Sequence, residues 1–358
     1  MEIGSYFWLT HDEINRVEKM SLIEPKIFEG ASYVSTCRSA IGIVLDKLLH
    51  NNRKVALVPA FTCESVLVSF KERGYKIYPY PIRKNFTIQW KAFEERIDEA
   101  KPSVVLIHSY FGFDTITELR PHVLELRKKD IVVIEDETQS MFSCNPLINA
   151  NYYVGSIRKW MPLPDGAFVT ASNYVNQEDT ELIEAKIRAY TLKGKWMQNP
   201  TGSKTDFQKA FQTAEGILNN RKQPFSMSKI SRKIFHLIDK DEMKEIRRNN
   251  YCTLVSGITL NRTLSNKLSL PISTIGENEC PFHLPVLVKE GRNELQKYLA
   301  QHDIFATVIW GCPDEFKDII DDESKYIYNH ILCFHVDQRY GEKDMVRIIN
   351  ILKDYYSA

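Results

Sequence analysis

Residues 103–136 read SVVLIHSYFGFDTITELRPHVLELRKKDIVVIED. The apolar runs Ser103–Ser109 and Ile131–Asp136 have the character of β-strands, and Thr117–Lys129 between them has helical periodicity. Strands that are apolar along their whole length are typical of a parallel sheet that is covered on both faces. Because the connection between such strands is right-handed, this stretch predicts a doubly wound α/β layer.

The alternation of strands and helices extends toward the N-terminus, and it changes in the second half of the chain. Strands are predicted at Val55–Ala60 and Lys76–Ile82. Past residue 172 the sequence is polar and helix-like, with Ser228–Val255 as one helical run. Strands and helices beyond residue 280 predict a small α+β domain. We therefore expect an N-terminal arm (1–30), a large domain with a helical connector (31–240) and a small C-terminal domain (241–358).

The composition is that of an ordinary globular protein. The formal net charge of the 358 residues is +1, which gives no electrostatic case for a dedicated nucleic-acid or anionic-membrane binder. No apolar run approaches the roughly 20 residues of a membrane span, and the first residues lack the pattern of a signal peptide. We expect a cytoplasmic protein without nucleic-acid or membrane partners.

The cysteines are scattered and form no C-x-x-C motif, which favours reduced thiols over a disulfide framework or a zinc site. No metal site is predicted. Cys63, at a predicted strand-to-helix turn, is interpreted as a structural thiol, with a cysteine nucleophile as the alternative. The full set is Cys37, Cys63, Cys144, Cys252, Cys280, Cys312 and Cys333.

The ends of the predicted strands indicate where a ligand binds. In open α/β sheets, ligands lie outside the carboxyl ends of the strands. Three strands end near Phe61, His108 and Asp136, so an aromatic ring, an imidazole and a carboxylate are expected in one crevice. No G-x-G-x-x-G, G-x-x-x-x-G-K-[ST] or G-x-S-x-G motif is present, which disfavours dinucleotide sites, P-loops and serine hydrolases.

Two further segments point to a cofactor. In STCRSAIGIVLDKLL, Ser35 and Thr36 precede a helix that is predicted at Ser39–Leu49. The N-terminus of this helix either binds a phosphate group or is merely capped by one of the two hydroxyls. In SIRKWMPLPDGAFV, Lys159 lies among aromatic and proline residues, where a lysine is either desolvated for Schiff-base chemistry or exposed on the surface. An anion site, Asp136 and Lys159 together match the needs of pyridoxal phosphate (PLP): a phosphate site, a carboxylate for the ring nitrogen and an amine for the aldehyde.

The segments STCRSAI, VPAFTCESV, VVLIHSYFG, VVIEDETQS and SIRKWMPLPDGAFV resemble the DegT/DnrJ/EryC1/StrS family of fold-type-I PLP-dependent sugar aminotransferases. The resemblance implies a mixed, mostly parallel seven-stranded sheet covered by helices, a smaller C-terminal α+β domain and a homodimer. It also implies a role in sugar or polysaccharide biosynthesis. The implied reaction is ping-pong transfer of an amino group from an amino acid, glutamate or glutamine, to a keto group of a nucleotide-linked sugar.

The resemblance also implies roles for individual residues. Lys159 matches the Schiff-base lysine, and Asp136 matches the aspartate under the pyridine nitrogen. Gln139 matches a residue close to the cofactor, and Phe61 lies in the region of the aromatic that stacks on the ring. The residues matched to phosphate binding are Thr36, Cys37, Arg38 and Ser156.

The sequence departs from the family pattern at three places. Val154 stands where a serine is common, Cys37 replaces a frequent glycine, and Pro164-Asp165-Gly166 replaces a frequent Gly-Gly. These departures put the sugar-nucleotide substrate in question. Three alternatives therefore stay open: another PLP reaction such as elimination or racemisation, a cofactor-free regulatory protein that keeps the fold, and a binding module for carbohydrate or nucleotide.

Two further groups of residues, one aromatic and one basic, are given structural interpretations. The aromatic run Tyr6, Phe7 and Trp8 is expected either to lie on a dimer partner or to join the core of its own chain. The basic residues of the helical region are interpreted mainly as solvated helix faces: Lys229, Arg232, Lys233, Arg247 and Arg248.

Overall fold

The computed structural model describes residues 2–48, 53–143, 148–172, 175–200 and 203–357. The strands in these ranges are β1 (Ile3–Gly4), β2 (Ser32–Val34), β3 (Val55–Pro59), β4 (Lys76–Tyr80), β5 (Val104–Ile107), β6 (Val132–Asp136), β7 (Tyr152–Gly155), β8 (Ala167–Val169), β9 (Leu268–Ser269), β10 (Leu284–Val288), β11 (Ile304–Phe305) and β12 (Ile331–Phe334).

The helices in the same ranges are α1 (His11–Glu18), α2 (Cys37–Lys47), α3 (Glu64–Lys71), α4 (Trp90–Ala100), α5 (Val123–Lys128), α6 (Thr180–Gln198), α7 (Thr205–Asn220), α8 (Lys229–Leu237), α9 (Lys240–Thr259), α10 (Arg262–Lys267), α11 (Arg292–Gln301), α12 (Asp322–His330) and α13 (Glu342–Ser357). Short 3-10 turns cover Arg120–His122, Ile157–Lys159 and Asp314–Phe316. None of these helices combines the length and the apolar character that a membrane span requires.

The chain divides into two compact units. The first unit contains Tyr6–Leu49 and Tyr152–Asp239, and the second contains Glu2–Ser5, His50–Asn151 and Lys240–Ala358. One boundary between the units, after Asp239, falls at the end of the predicted large domain. The predicted division into 1–30, 31–240 and 241–358 stays a prediction.

Four parallel strands of the second unit form the layer that the sequence predicts. Their order is β6-β5-β3-β4. All of β5 is buried, as are four of the five residues in each of β3 and β6. This burial explains the uninterrupted apolar runs, because neither face of these strands meets water.

The first unit contributes three antiparallel strands in the order β2-β8-β7. Val34 pairs with Ala167, and Gly155 pairs with Phe168. With the four parallel strands they make up the seven strands of a mixed, mostly parallel sheet. The predicted fold class is therefore confirmed.

The C-terminal part of the second unit has the predicted mixture of helices and antiparallel strands. The strand order is β12-β10-β9, and every residue of β10 is buried. The short strand β1 pairs in parallel with β11, so that Ile3 lies opposite Ile304. The chain start is thus fixed to the same unit as its C-terminal helices.

The helical run Ser228–Val255 was predicted as one polar segment, and the structure corrects this in two respects. It forms two helices, α8 and α9, that are interrupted before Lys240. Arg247 is not on a solvated face, because only 1% of the residue is exposed. Its guanidinium donates to the carbonyl oxygens of Pro281 and Phe282, each at 3.2 Å. A buried arginine is tolerated here because backbone acceptors surround it.

The N-terminal aromatic run packs on helices of its own chain. The Tyr6 ring stacks on Phe211 of α7 with a centroid distance of 3.9 Å. Lys193 of α6 donates to the Tyr6 carbonyl oxygen and lies over the Trp8 ring. The structure thus shows contacts within one chain, with Tyr6 still 42% exposed. Packing of this run on a dimer partner stays a prediction.

Leu9, directly after the aromatic run, lies close to the backbone of α6 at Gly194. A Cβ atom at Gly194 would lie 2.3 Å from the Leu9 carbonyl oxygen. We predict that Gly194→Ala lowers the free energy of unfolding by about 1–3 kcal/mol, because backbone atoms cannot move aside as a side chain can. The control is Gly216→Ala in α7, where a Cβ meets open space; it should raise stability by roughly 0.5–1 kcal/mol. Urea denaturation followed by tryptophan fluorescence measures both, and equal stabilisation of the two variants would refute the close approach.

Candidate active site

The strand register of the first unit brings several predicted site residues to one edge of its strands. Val34 at the end of β2 lies opposite Ala167 at the start of β8, and Phe168 lies opposite Gly155 at the end of β7. The residues that follow β2 and β7 and those that precede β8 therefore emerge together. This edge carries Ser35, Thr36, Ser156, the turn with Lys159, and Gly166.

Gly166 connects the lysine turn to the segment before α2. Its N–H donates to the Ser35 carbonyl oxygen at 2.7 Å, and its own carbonyl oxygen accepts from the Arg158 N–H at 3.2 Å. The residue has φ +135°, a conformation that glycine adopts without strain. One residue thus holds two of the predicted site segments in a defined relation.

Helix α2 begins at Cys37, two residues before the predicted start. Thr36 is its N-cap, and the Thr36 Oγ1 atom accepts from the Ser39 N–H at 3.1 Å. The capping role is therefore observed. Since a helix N-terminus also carries positive partial charge and outward-pointing N–H groups, the anion-binding role of Thr36, Cys37 and Arg38 stays a prediction that this geometry permits.

Lys159 ends the 3-10 turn and is half-buried. Its neighbours Ile157 and Trp160 are fully buried, which anchors the turn on both sides. Within the described ranges, the Lys159 amine makes no hydrogen bond and no ion pair. An amine without a hydrogen bond or ion pair is available to react with a carbonyl group.

A partly buried ion pair lies near this lysine. Lys186 of α6 is 3% exposed and pairs with Glu215 of α7. Burial lowers the pKa of Lys186, and the positive charge of Arg158 lowers it further. Burial alone would raise the pKa of Glu215, but the charges of Lys186, Arg158 and Lys159 bring it below its usual value. The carboxylate is therefore ionised among three cations.

Asp165 fixes the other end of the lysine loop. This fully buried residue accepts from the Ser228 N–H at 3.0 Å and from the Ser228 hydroxyl at 2.7 Å, and the Ser231 hydroxyl also donates to it. Ser228 is the N-cap of α8, so the carboxyl group lies at a helix N-terminus. Burial is the main cause that raises the pKa of Asp165 to about 6.

The predicted residues of the second unit surround the end of β6. Asp136 is the last residue of that strand and is 6% exposed. Its Oδ1 atom accepts from the Thr138 N–H at 2.9 Å, which turns the chain directly after the strand. On either side of it, burial raises the pKa of Glu135 and of Glu137, and each carboxyl is hydrogen-bonded to the other.

Gln139 and Phe61 have structural contacts of their own. The Gln139 Oε1 atom accepts from the Phe111 N–H at 2.7 Å, at a residue whose φ is +57°. The Phe61 ring is 0% exposed and lies against other aromatic rings. Gln139 therefore fixes a strained turn, and Phe61 contributes to the aromatic core. Their roles toward a cofactor stay predictions.

The cysteines described by the structure are all free thiols. Cys144 lies outside the described residues. The Cys63 sulfur lies 3.0 Å from the Ser65 hydroxyl oxygen, and this is its one hydrogen-bond partner in the described part of the chain. No histidine activates Cys63 there, which favours the structural interpretation of this thiol.

Several residues of this region were not found from the sequence. Lys186 and Glu215 are 29 positions apart and are brought together only by the packing of α6 on α7. Asp165 was noted only as a departure from a family pattern. The S-x-x-S pattern of Ser228 and Ser231 predicts the start of an N-capped helix. It does not predict that Asp165 binds these two hydroxyls.

Comparisons with known proteins agree with this architecture. Residues 28–146 match the family model described as Aminotransferase class I and II. No curated protein matches the chain. Many solved structures resemble it. Among them is a putative sugar aminotransferase, Spr1654, from Streptococcus pneumoniae in a PLP form, with TM-score 0.70 and 12% identity over 100% of this chain and 99% of that one.

Two further structures show the same likeness. Helicobacter pylori PseC, an aminotransferase involved in the biosynthesis of pseudoaminic acid, has TM-score 0.70 and 13% identity over 100% of both chains. A DegT DnrJ EryC1 StrS aminotransferase from Brucella abortus has TM-score 0.66 and 14% identity, covering 96% of this chain and 94% of that one. The chain has the fold of these aminotransferases. The resemblance that the sequence motifs indicate is confirmed at the level of fold.

The buried carboxyl group of Asp165 should be visible in the pH dependence of stability. Its pKa in the folded protein, about 6, is above the usual 3.8, so the folded state binds the proton more tightly than the unfolded state. The contribution of Asp165 to the free energy of unfolding is therefore largest at low pH and falls as pH rises between about 4 and about 6. The loss is on the order of 3 kcal/mol, and Asp165→Asn should abolish it.

Urea denaturation at pH values from about 4 to about 7 tests this expectation. Asp354→Asn, which changes an exposed residue of α13, serves as the control and should keep the wild-type pH profile. A profile of Asp165→Asn that runs parallel to that of the wild type over this range would contradict the assignment.

Proposed function

We propose that the protein is a PLP-dependent aminotransferase that transfers an amino group from an amino acid to a keto group of a sugar. The observation that carries the proposal is the half-buried, unengaged amine of Lys159 at the same strand edge as the N-terminus of α2. The family-model match over residues 28–146 and the fold shared with sugar aminotransferases support it.

The residues present fit this cofactor. The Lys159 amine would hold the aldehyde covalently, and the start of α2 (Thr36, Cys37 and Arg38), with Ser156, would hold the phosphate. Asp136 would hold the ring nitrogen, since its carboxyl group is buried and oriented by the Thr138 N–H. When bound, PLP stabilises negative charge on the substrate carbon that carries the amino group. Gln139 and Phe61 are proposed to lie beside the ring.

Lys159 has a second role in the proposed reaction. Once substrate has displaced it, its free amine moves a proton to or from the substrate carbon. The buried turn flanked by Ile157 and Trp160 keeps this amine at a constant position. The fixed peptide of Gly166 holds the turn to the segment before α2, so the amine and the phosphate-binding amides keep their separation during turnover.

The substrates are proposed from the family resemblance and from the neighbours in fold. Glutamate or glutamine is the proposed donor, and a nucleotide-linked keto sugar is the proposed acceptor. One of the proteins that share the fold, PseC, is an aminotransferase involved in the biosynthesis of pseudoaminic acid. Sugar or polysaccharide biosynthesis is therefore the proposed context, and the cytoplasm the proposed location.

We predict that the purified protein binds PLP with a yellow colour, and that borohydride reduction fixes the cofactor to Lys159. Lys159→Ala should lose this label and at least a thousandfold of the transamination rate, since it lacks both the covalent link and the proton carrier. Peptide mass spectrometry locates the label, and release of 2-oxoglutarate from glutamate measures the reaction.

The matched control is Lys195→Ala, which removes an exposed lysine of α6 and should leave label and rate unchanged. Transamination by Lys159→Ala at the wild-type rate would refute the role of this lysine. A coloured protein that consumes the amino acid without forming 2-oxoglutarate would indicate elimination or racemisation. Absence of colour would indicate a cofactor-free protein.

We also propose a homodimer, as the family resemblance implies. Light scattering of the purified protein should give twice the mass of one chain at micromolar concentration. A monomer that retains full transamination activity at the same concentration would contradict this proposal.

A further inference from the structure

Arg158 has a position and surroundings that the proposed roles of Lys159 do not explain. It immediately precedes Lys159 in the 3-10 turn, and its N–H is held by the Gly166 carbonyl oxygen. Its guanidinium makes no hydrogen bond or ion pair with any residue in the part of the chain that the structure describes. The Nε atom is nevertheless buried. Burying a charged donor of this kind without a partner is energetically unfavourable.

The charged groups around Arg158 include more cations than anions. Lys186 and Glu215 neutralise each other in their ion pair. Arg158 and Lys159 both act on the Glu215 carboxylate, which is already paired with Lys186. The Tyr6 side chain also lies in the field of Glu215, but it stays a neutral phenol because burial and that carboxylate raise its pKa. The region therefore has an excess of positive charge.

A guanidinium with these properties is suited to bind an oxyanion. Its planar fork of N–H groups matches the two oxygen atoms of a carboxylate or phosphate, and such charge-assisted pairs are among the strongest hydrogen bonds in proteins. We propose that Arg158 binds an oxyanion group of the small molecule that reacts at Lys159. This inference rests on the proposed function. The group is either the phosphate of the cofactor or the carboxylate of the amino donor.

The first experiment does not depend on the proposed function. Inorganic phosphate is titrated into cofactor-free protein, and its apparent dissociation constant is taken from the rise in melting temperature. We expect Arg158→Gln to weaken phosphate binding roughly tenfold to a hundredfold, and Arg158→Lys to recover part of this loss, because it keeps the charge without the fork. The control, Arg188→Gln, removes the same charge from the exposed face of α6 and should bind like the wild type.

The second experiment separates the two sources of the oxyanion. If the cofactor phosphate is bound, Arg158→Gln weakens PLP binding but leaves the binding of pyridoxal, which has no phosphate, unchanged. If the donor carboxylate is bound, PLP binding stays the same, and the glutamate concentration that half-converts the coloured enzyme rises roughly tenfold or more. Either result supports the proposal.

Wild-type values for Arg158→Gln in the phosphate titration and in both parts of the second experiment would overturn the role of Arg158. Failure of the wild type to carry PLP on Lys159 would instead refute the proposed function. The phosphate titration then still decides whether Arg158 binds oxyanions. Circular dichroism and the melting temperature without phosphate confirm that each variant is folded.

Discussion

The hydrogen bonds of the Gly166 peptide are the constraint on which the candidate site depends. Through its N–H and its carbonyl oxygen, this one residue links the segment that starts α2 to the turn that carries Lys159. A side chain at this position would require an L-residue at φ +135° and would crowd Met227. This position therefore requires glycine for a backbone reason, and the residue before it is an aspartate, Asp165.

That aspartate gives the loop a second anchor. Asp165 is bound to the hydroxyls of Ser228 and Ser231 and to the start of α8, so the loop from Lys159 to Gly166 is held at both ends. Such buried polar networks define a single conformation when every member is satisfied.

Charged groups, as well as close packing, define the environment of Lys159. The Lys186–Glu215 pair is partly buried: Lys186 is enclosed, whereas 36% of the Glu215 side chain is exposed. Its charges are therefore less screened than those of a fully exposed pair. With Arg158 adjacent, the region favours negatively charged ligands. This agrees with the proposed function, in which both the cofactor and the amino donor are anions.

The local pattern was sufficient to predict much of the fold. The parallel strands were predicted within two residues at either end, because buried strands and amphipathic helices have distinct periods. Thr36 was correctly expected at a helix start. The break between α8 and α9 was missed, since no proline or glycine marks it.

The sequence by itself determined the fold class and the candidates Lys159 and Asp136, because these follow from local periodicity and from motifs that lie close together in the chain. Only the tertiary structure decided which charges are buried and with what partners. Arg247 was expected on a solvated face and is enclosed by carbonyl groups, while Lys186 meets Glu215 of the next helix, 29 positions along the chain. Such pairings depend on how the helices and loops pack. The identity of a charged residue does not show which other element of the chain will bury it.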